Sequence, residues 1–160
     1  MRNVTETKHI TASANSVWSK IGSFGGIGAW HPLLARVETE RDGEGGGGEG
    51  DAPGAVRKVQ GKDGSKLVER LEQMDEQRHA YRYSLQSGPL PVRNYTADLC
   101  VDDAGEDAST VTWSAQFEVT SGEHEKVVET IRKFMRVGLD ALPQAVGSSN
   151  AAGAAGTQSE

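Results

Sequence analysis

Residues 110–142, TVTWSAQFEVTSGEHEKVVETIRKFMRVGLDAL, change their hydrophobic period part-way along and thereby decide the fold. Val111, Trp113, Ala115 and Phe117 alternate with polar residues, which predicts a strand with one buried face. From residue 127 onward the apolar side chains recur at helical spacing and form one wide stripe. That stripe consists of Val127, Val128, Ile131, Phe134, Met135, Leu139 and Leu142. The segment therefore predicts a strand followed directly by a long amphipathic helix.

The expected helix also carries start and stop signals. Thr120 and Glu123 fit a capping box, in which each side chain satisfies a backbone amide of the other residue. Pro143 marks the predicted end, because proline cannot continue a helix. The helix is thus expected to begin just after Thr120 and to end before Pro143.

The chain before residue 110 is interpreted as strands with two short helices near the start. Alternating segments predict strands at residues 4–10, 33–40, 67–74, 80–86 and 94–101, with a further strand in a hairpin over residues 54–71. One helix is expected after the N-cap residues 13–16, and a second over residues 24–30, which Pro32 stops. An α+β fold would bury every apolar stripe, with a curved, seven-stranded antiparallel sheet around the long C-terminal helix. A cavity opens between them if sheet and helix splay apart at one end.

The hairpin over residues 54–71 places two charges on an apolar face. A three-residue loop at residues 62–64 suits a type I turn closed by a glycine in the left-handed conformation. This register sets Val59 opposite Leu67 and Arg57 opposite Glu69, and opposed residues share a face. Charges on an apolar face are costly unless they pair or line a cavity. The pair is either a buried structural ion pair or a polar feature of a ligand cavity.

A second register of the same hairpin stays open at this point. A two-residue turn at Asp63 and Gly64 would pair Lys58 with Glu69 and Gln60 with Leu67. That arrangement gives a less apolar face, so the first register is the prediction.

Composition sets the boundaries of the expected domain. Residues 42–54 are rich in glycine and predict a flexible loop, and residues 147–160 are rich in Gly, Ala and Ser and predict a disordered tail. The folded domain is therefore expected to cover residues 1–146.

Charge and hydropathy narrow the possible partners and location. A formal charge of −6 gives no electrostatic basis for nucleic-acid binding. No apolar run approaches the roughly 20 residues that span a bilayer, and the N-terminus lacks the apolar region of a signal peptide. We therefore expect a cytoplasmic protein, monomeric or weakly dimeric, with no membrane insertion. Cys100 is the single cysteine, which excludes an internal disulfide.

Several motifs in this order resemble the START/Bet v 1-like (SRPBCC) superfamily, which includes the polyketide cyclase/dehydrase and lipid-transport group. The matching stretches are Val17-Trp18, Phe24-Gly25-Gly26, Trp30-His31-Pro32, Gly54-Ala-Val-Arg57, Val68-Glu-Arg-Leu71, Asp75-Glu-Gln-Arg-His79 and Arg93-Asn-Tyr95. The resemblance implies a helix-grip fold around a ligand cavity and no cofactor.

A more distant resemblance is to the plant abscisic acid receptors. Their Glu-Arg-Leu and Lys-Asn-Tyr motifs look like residues 69–71 and 93–95 here. This resemblance implies that Glu69 and Tyr95 face the cavity. The receptors' gate sequence is replaced here by the tight turn at residues 62–64.

The candidate functional residues follow from both arguments. His31 is the candidate proton shuttle, although a lone histidine is more often structural. No metal site is expected, because the four histidines lack ligand spacing. The aromatic residues are candidates for either core packing or ligand contact. The full candidate ligand-binding set is Trp30, Arg57, Glu69, Tyr81, Tyr83, Tyr95, Trp113, Phe117, Phe134 and Met135.

Three functions remain open from the sequence. The leading prediction is binding of a hydrophobic small molecule, such as a polyketide, a lipid or another secondary metabolite. The alternative is a cofactor-independent cyclase, aromatase or dehydratase that uses His31. The third is an interaction domain whose cavity is filled by side chains.

Overall fold

A computed structural model describes residues 1–41 and 52–146. The strands are β1 (Arg2–Ile10), β2 (Leu34–Arg41), β3 (Ala55–Gly61), β4 (Lys66–Asp75), β5 (Ala80–Ser87), β6 (Val92–Gly105) and β7 (Ala108–Val119). The helices are α1 (Ala14–Ile21), a 3₁₀ helix (Phe24–Ala29) and α2 (His124–Asp140). The expected order of elements is confirmed. Most of the expected Gly-rich loop and the whole expected tail lie outside the described residues.

The seven strands form one antiparallel sheet in the order β1-β7-β6-β5-β4-β3-β2. Its inner face carries the alternating apolar residues, and α2 lies nearest to β1 and β7. Glu6 on β1 accepts hydrogen bonds from Arg132 and Arg136 of α2, each at 2.9 Å. The helix is thus held to one side of the sheet. The seven-stranded α+β prediction, with a C-terminal helix and short helices after β1, is confirmed.

The hairpin between β3 and β4 adopts the first predicted register. Arg57 pairs with Glu69, and Val59 pairs with Leu67. Gly64 has a φ of 91°, the left-handed conformation that closes such a turn. The turn is also tied to the preceding loop, because the Lys62 amide donates to the Leu33 carbonyl at 2.9 Å.

The predicted capping box is wrong. The N-cap of α2 is Glu123, and no side chain caps this helix. The Thr120 amide donates to the Pro91 carbonyl at 2.8 Å, so Thr120 continues the extended path of β7. Gly122, with a φ of 82°, then turns the chain before the helix begins.

The end of α2 lies slightly earlier than the proline signal. α2 ends at Asp140, and a short helical segment over residues 142–146 follows. Pro143 occupies the first turn of that segment, where its missing N–H leaves no hydrogen bond broken.

Candidate ligand site

The Arg57–Glu69 pair lies on the inner face of the sheet. Arg57 Nε donates to Glu69 Oε1 at 2.7 Å, and Arg57 Nη1 donates to the Phe24 carbonyl at 2.7 Å. Burial alone would lower the pKa of Arg57, but the charge of Glu69, with contributions from Tyr81 and Tyr83, outweighs it and raises that pKa. The guanidinium is therefore a permanent buried cation.

Aromatic rings enclose this cation. The Cζ atom of Arg57 lies 4.1 Å from the centre of the Phe24 ring and 4.6 Å from that of Tyr83, distances at which cations bind ring faces. Arg57 Nη2 is buried and has no hydrogen-bond partner in the described chain. The side chain has no exposed surface, so its contacts are with the protein itself.

Exposure of the inner face changes along β4, β5 and β6. At one level, Leu71, Tyr83 and Ala97 are paired across these strands and are fully buried. We call the other level the open end and define it by Leu67, Leu85 and Tyr95, which are half-buried. Glu69 is paired with Leu85, in the row next to Leu71 and Tyr83, and 11% of its side chain is exposed. The carboxylate, unlike the fully buried guanidinium, keeps a small exposed surface.

A bulge in β6 directs Tyr95 to the inner face. The pairing with β7 shifts between Arg93 and Thr96, and Asn94 has a φ of 54°. Asn94 Nδ2 donates to Glu118 Oε2 at 3.0 Å, which stabilises this conformation. The Tyr95 ring stacks on Phe117 with ring centres 5.5 Å apart. Burial and the charge of Glu69 both raise the pKa of Tyr95, so its hydroxyl stays protonated.

The buried level is an aromatic cluster. Trp113 Nε1 donates to the Tyr83 hydroxyl at 3.1 Å, and the Trp30 ring lies 5.7 Å from that of Trp113. Burial raises the pKa of Tyr83 well above its ordinary value, and Glu69 adds to this rise. Trp30 Nε1 is buried without a hydrogen-bond partner in the described chain. These residues form the packed wall behind the open end.

His31 is held by backbone atoms on both sides of its ring. Its Nδ1 atom accepts a hydrogen bond from the Leu33 amide at 3.2 Å, so Nε2 carries the proton and donates to the Phe134 carbonyl at 2.8 Å. Burial lowers the pKa of His31 to about 4, and the nearby charge of Arg57 acts in the same direction. The neutral imidazole connects the loop before β2 to α2.

Close packing of α2 depends on the residue beneath His31. A Cβ at Gly138 would lie 2.5 Å from His31 Cδ2 and 3.1 Å from Trp113 Cζ3. The Phe134 ring stacks on His31 with ring centres 4.0 Å apart. Gly138 thus allows the helix to approach the imidazole closely enough for the hydrogen bond.

The structure brings most predicted site residues to one face but divides them by accessibility. Trp30, Arg57, Glu69, Tyr81, Tyr83, Trp113, Phe117 and Met135 are buried, and Tyr95 and Phe134 are half-buried. The sequence reasoning missed Phe24, whose ring and carbonyl hold Arg57, and Leu85 at the open end. Alternation along residues 80–86 already placed Leu85 with Tyr81 and Tyr83. No sequence signal connected Phe24 to Arg57, because they lie on different elements.

A surface depression of about 690 Å³ lies elsewhere, at the opposite end of β4 from Leu67. It is formed by the start of α1, the β4–β5 turn and the β6–β7 hairpin. The interior groups described above do not line it. Within residues 1–41 and 52–146, no group of three or more His, Cys, Asp or Glu side chains is placed to hold a metal ion. None of the helices in these ranges is both long and apolar enough to span a bilayer.

Sequence comparison identifies the family of this chain. The model of the family described as polyketide cyclase / dehydrase and lipid transport matches residues 1–147. The chain belongs to this family. No curated protein matches it significantly. Membership agrees with an internal face that combines apolar walls with few polar groups, and it indicates ligand binding or a related cyclase activity.

Solved structures with the same fold extend the comparison. The protein XoxI from Bacillus cereus is 29% identical and superposes with a TM-score of 0.80 over 91% of this chain and 96% of that one. A START superfamily protein from Mycobacterium smegmatis is 15% identical, with a TM-score of 0.74 over 91% of this chain and 97% of that one. Norcoclaurine synthase from Thalictrum flavum, solved with dopamine and hydroxybenzaldehyde, is 19% identical, with a TM-score of 0.70 over 92% and 87%. At these identities the last two structures establish the fold only.

Proposed function

We propose that this protein binds a hydrophobic small molecule between the sheet and α2, and that this molecule enters at the open end. The observation that carries the proposal is the Glu69 carboxylate, which keeps 11% of its side chain exposed and pairs with Arg57 on a mainly apolar face. An isolated charge there would be costly, and Arg57 offsets that cost from behind. An apolar surface with a few fixed polar groups is typical of small-molecule sites.

Each part of the face has a role in this proposal. Leu67, Leu85 and Phe134 contact the apolar body of the ligand, and Glu69 and Tyr95 orient its polar group. Binding would serve carriage, sensing or self-resistance by sequestration of a secondary metabolite in the cytoplasm. The ligand is a polyketide, a lipid or a similar metabolite, and the protein acts as a monomer or weak homodimer.

A fluorescent probe tests the proposed site. Neutral N-phenyl-1-naphthylamine is expected to gain fluorescence with the wild-type chain. Leu85→Trp fills the open end and should weaken probe binding by about tenfold or more, equivalent to about 1.4 kcal/mol. Gln86→Trp is the matched control, because Gln86 is the next residue of β5 and is exposed on the outer face. Unchanged fluorescence with the wild type, or equal effects of the two variants, would refute the proposed site.

As a second candidate we propose a cofactor-independent cyclase, aromatase or dehydratase. The supporting observation is the imidazole of His31 within the aromatic interior, next to Trp113 and Phe134. Proton transfer would require His31 to release one of its two backbone hydrogen bonds. His31→Ala should then abolish turnover of a polyketide-like substrate and leave probe binding intact. Full turnover in this variant would exclude the mechanism.

A further inference from the structure

We infer that the polar group of the ligand is a hydrogen-bond donor, a hydroxyl or an ammonium group that binds the Glu69 carboxylate, and that carboxylic acids are rejected. This inference rests on the proposed function and adds the chemical class of the ligand. It follows from which charge of the Arg57–Glu69 pair is presented and which is enclosed.

The negative charge is the presented one. The Glu69 side chain is 11% exposed, whereas that of Arg57 is fully buried. Within the described chain, Arg57 is the hydrogen-bond partner of Glu69, and it uses Oε1. A carboxylate accepts at about four lone-pair positions, so Glu69 keeps capacity for a donor that arrives from the open end.

The positive charge is unavailable to a ligand. Arg57 Nη2 has spare N–H groups, but it is buried among protein atoms, with the rings of Phe24 and Tyr83 against the guanidinium. Because Nη2 has almost no accessible surface, a ligand carboxylate could reach this cation only by displacing protein atoms. It would also approach the Glu69 carboxylate, and like charges at short range repel.

The other cationic side chains of β4 and β6 point away from the open end. Lys66 is exposed, and it precedes Leu67 on β4 and so lies on the outer face. Arg70 donates to Glu72 at 2.8 Å on that outer face. Arg93 donates to Glu118 at 2.9 Å, in the part of β6 before the bulge. Arg82 of β5 likewise binds Asp98 on the outer face, so on β4, β5 and β6 the charged side chain of the inner face near the open end is Glu69.

Tyr95 supports the same ligand class. Its hydroxyl remains protonated, because burial and the charge of Glu69 raise its pKa. It can accept a hydrogen bond as well as donate one, so it complements a ligand hydroxyl that donates to Glu69.

A series of probes with the same ring system tests the inference on the full chain. The probes are naphthalene, 2-naphthol, 2-naphthylmethylamine and 2-naphthoate, titrated at pH 7 and followed by amide NMR shifts. We expect 2-naphthol and the ammonium probe to bind at least about tenfold more tightly than 2-naphthoate, which is ionised at this pH.

Substitution at Glu69 supplies an independent measurement. Glu69→Gln should weaken binding of the ammonium probe by about tenfold. It should also reduce the difference in affinity between this probe and 2-naphthoate. Glu72→Gln is the matched control, since Glu72 lies on the outer face of the same strand and accepts a hydrogen bond from Ser84 at 2.6 Å. If Glu69→Gln fails to fold, the ranking of probes on the wild type still decides the question.

The possible outcomes separate the two claims. Tightest binding of 2-naphthoate, or equal binding of all four probes, would overturn the ligand class and leave the proposed function standing. If naphthalene and the other probes all fail to bind, the proposed function is wrong and the inference falls with it.

Discussion

Removing the guanidinium of Arg57 should destabilise this protein far more than removing a similar exposed one. Arg57→Met leaves the Glu69 carboxylate mostly buried without its cation. It also removes the hydrogen bond to the Phe24 carbonyl and the contacts with the Phe24 and Tyr83 rings. Breaking one side of a buried pair costs about 3–5 kcal/mol. Since small domains are stable by about 5–15 kcal/mol, this loss is a large fraction of the total.

The matched control is the pair between Arg82 and Asp98 on β5 and β6. Arg82 Nε donates to Asp98 Oδ1 at 2.8 Å, nearly the same distance as in the buried pair. The two side chains are 51% and 44% exposed, so solvent screens the interaction. Arg82→Met is therefore expected to cost at most about 1 kcal/mol.

Urea unfolding, followed by tryptophan fluorescence, measures both variants. The double variant Arg57→Met with Glu69→Leu should recover much of the loss, because no unpaired charge remains in the interior. A cost below about 1 kcal/mol for Arg57→Met, or equal costs for Arg57→Met and Arg82→Met, would refute the assignment of Arg57 as a cation stabilised by enclosure.

Two further predictions concern His31 and the helix above it. Because burial lowers the pKa of folded His31 to about 4, the unfolded chain binds the extra proton first as pH falls. The free energy of unfolding is therefore unaffected by His31 above about pH 6.5 and falls as the pH drops from about 6.5 to 4, by about 3 kcal/mol in total. His31→Gln should remove this part of the pH dependence of unfolding. Gly138→Ala should lower the free energy of unfolding by about 1–3 kcal/mol, despite alanine's higher helix propensity, because its Cβ meets His31 and Trp113.

Each of these predictions has a comparison that isolates it. The free energy of unfolding is measured against pH for the wild type and for His31→Gln, and the difference between the two slopes cancels the effect of the carboxylates, which titrate in both proteins. Identical slopes would contradict the buried neutral imidazole. Glu129→Ala is the control for Gly138→Ala, since Glu129 is exposed on α2. If Gly138→Ala is as stable as that control, the close approach of His31 to α2 is wrong.

Short-range patterns predicted the arrangement of strands well. The turn at residues 62–64 and the alternation on either side were enough to place Arg57 opposite Glu69. The failure at Thr120 has the opposite cause. The Thr120 amide donates to the carbonyl of Pro91, 29 residues earlier in the chain, so a tertiary hydrogen bond replaces the predicted local capping bond.

Alternation predicted the sheet face of the candidate residues, and packing decided how far each is exposed. Alternation assigned Tyr81, Tyr83 and Tyr95 to one face, but only Tyr95 lies at the open end. His31 was a candidate proton shuttle because of its chemistry. The two backbone hydrogen bonds that hold it come from Leu33 and Phe134, and the second belongs to a helix about 100 residues later.

The sequence by itself determined the order of elements, the face of each strand and the opposition of Arg57 and Glu69, because turn geometry and side-chain period are local properties. Only the tertiary structure decided which of the two charged side chains is fully enclosed. Phe24 comes from a short helix and Tyr83 from another strand, and together they enclose the guanidinium. Glu69, opposite Arg57 on β4, keeps 11% of its side chain exposed. Enclosure depends on packing between distant segments, and no periodicity along the chain encodes it.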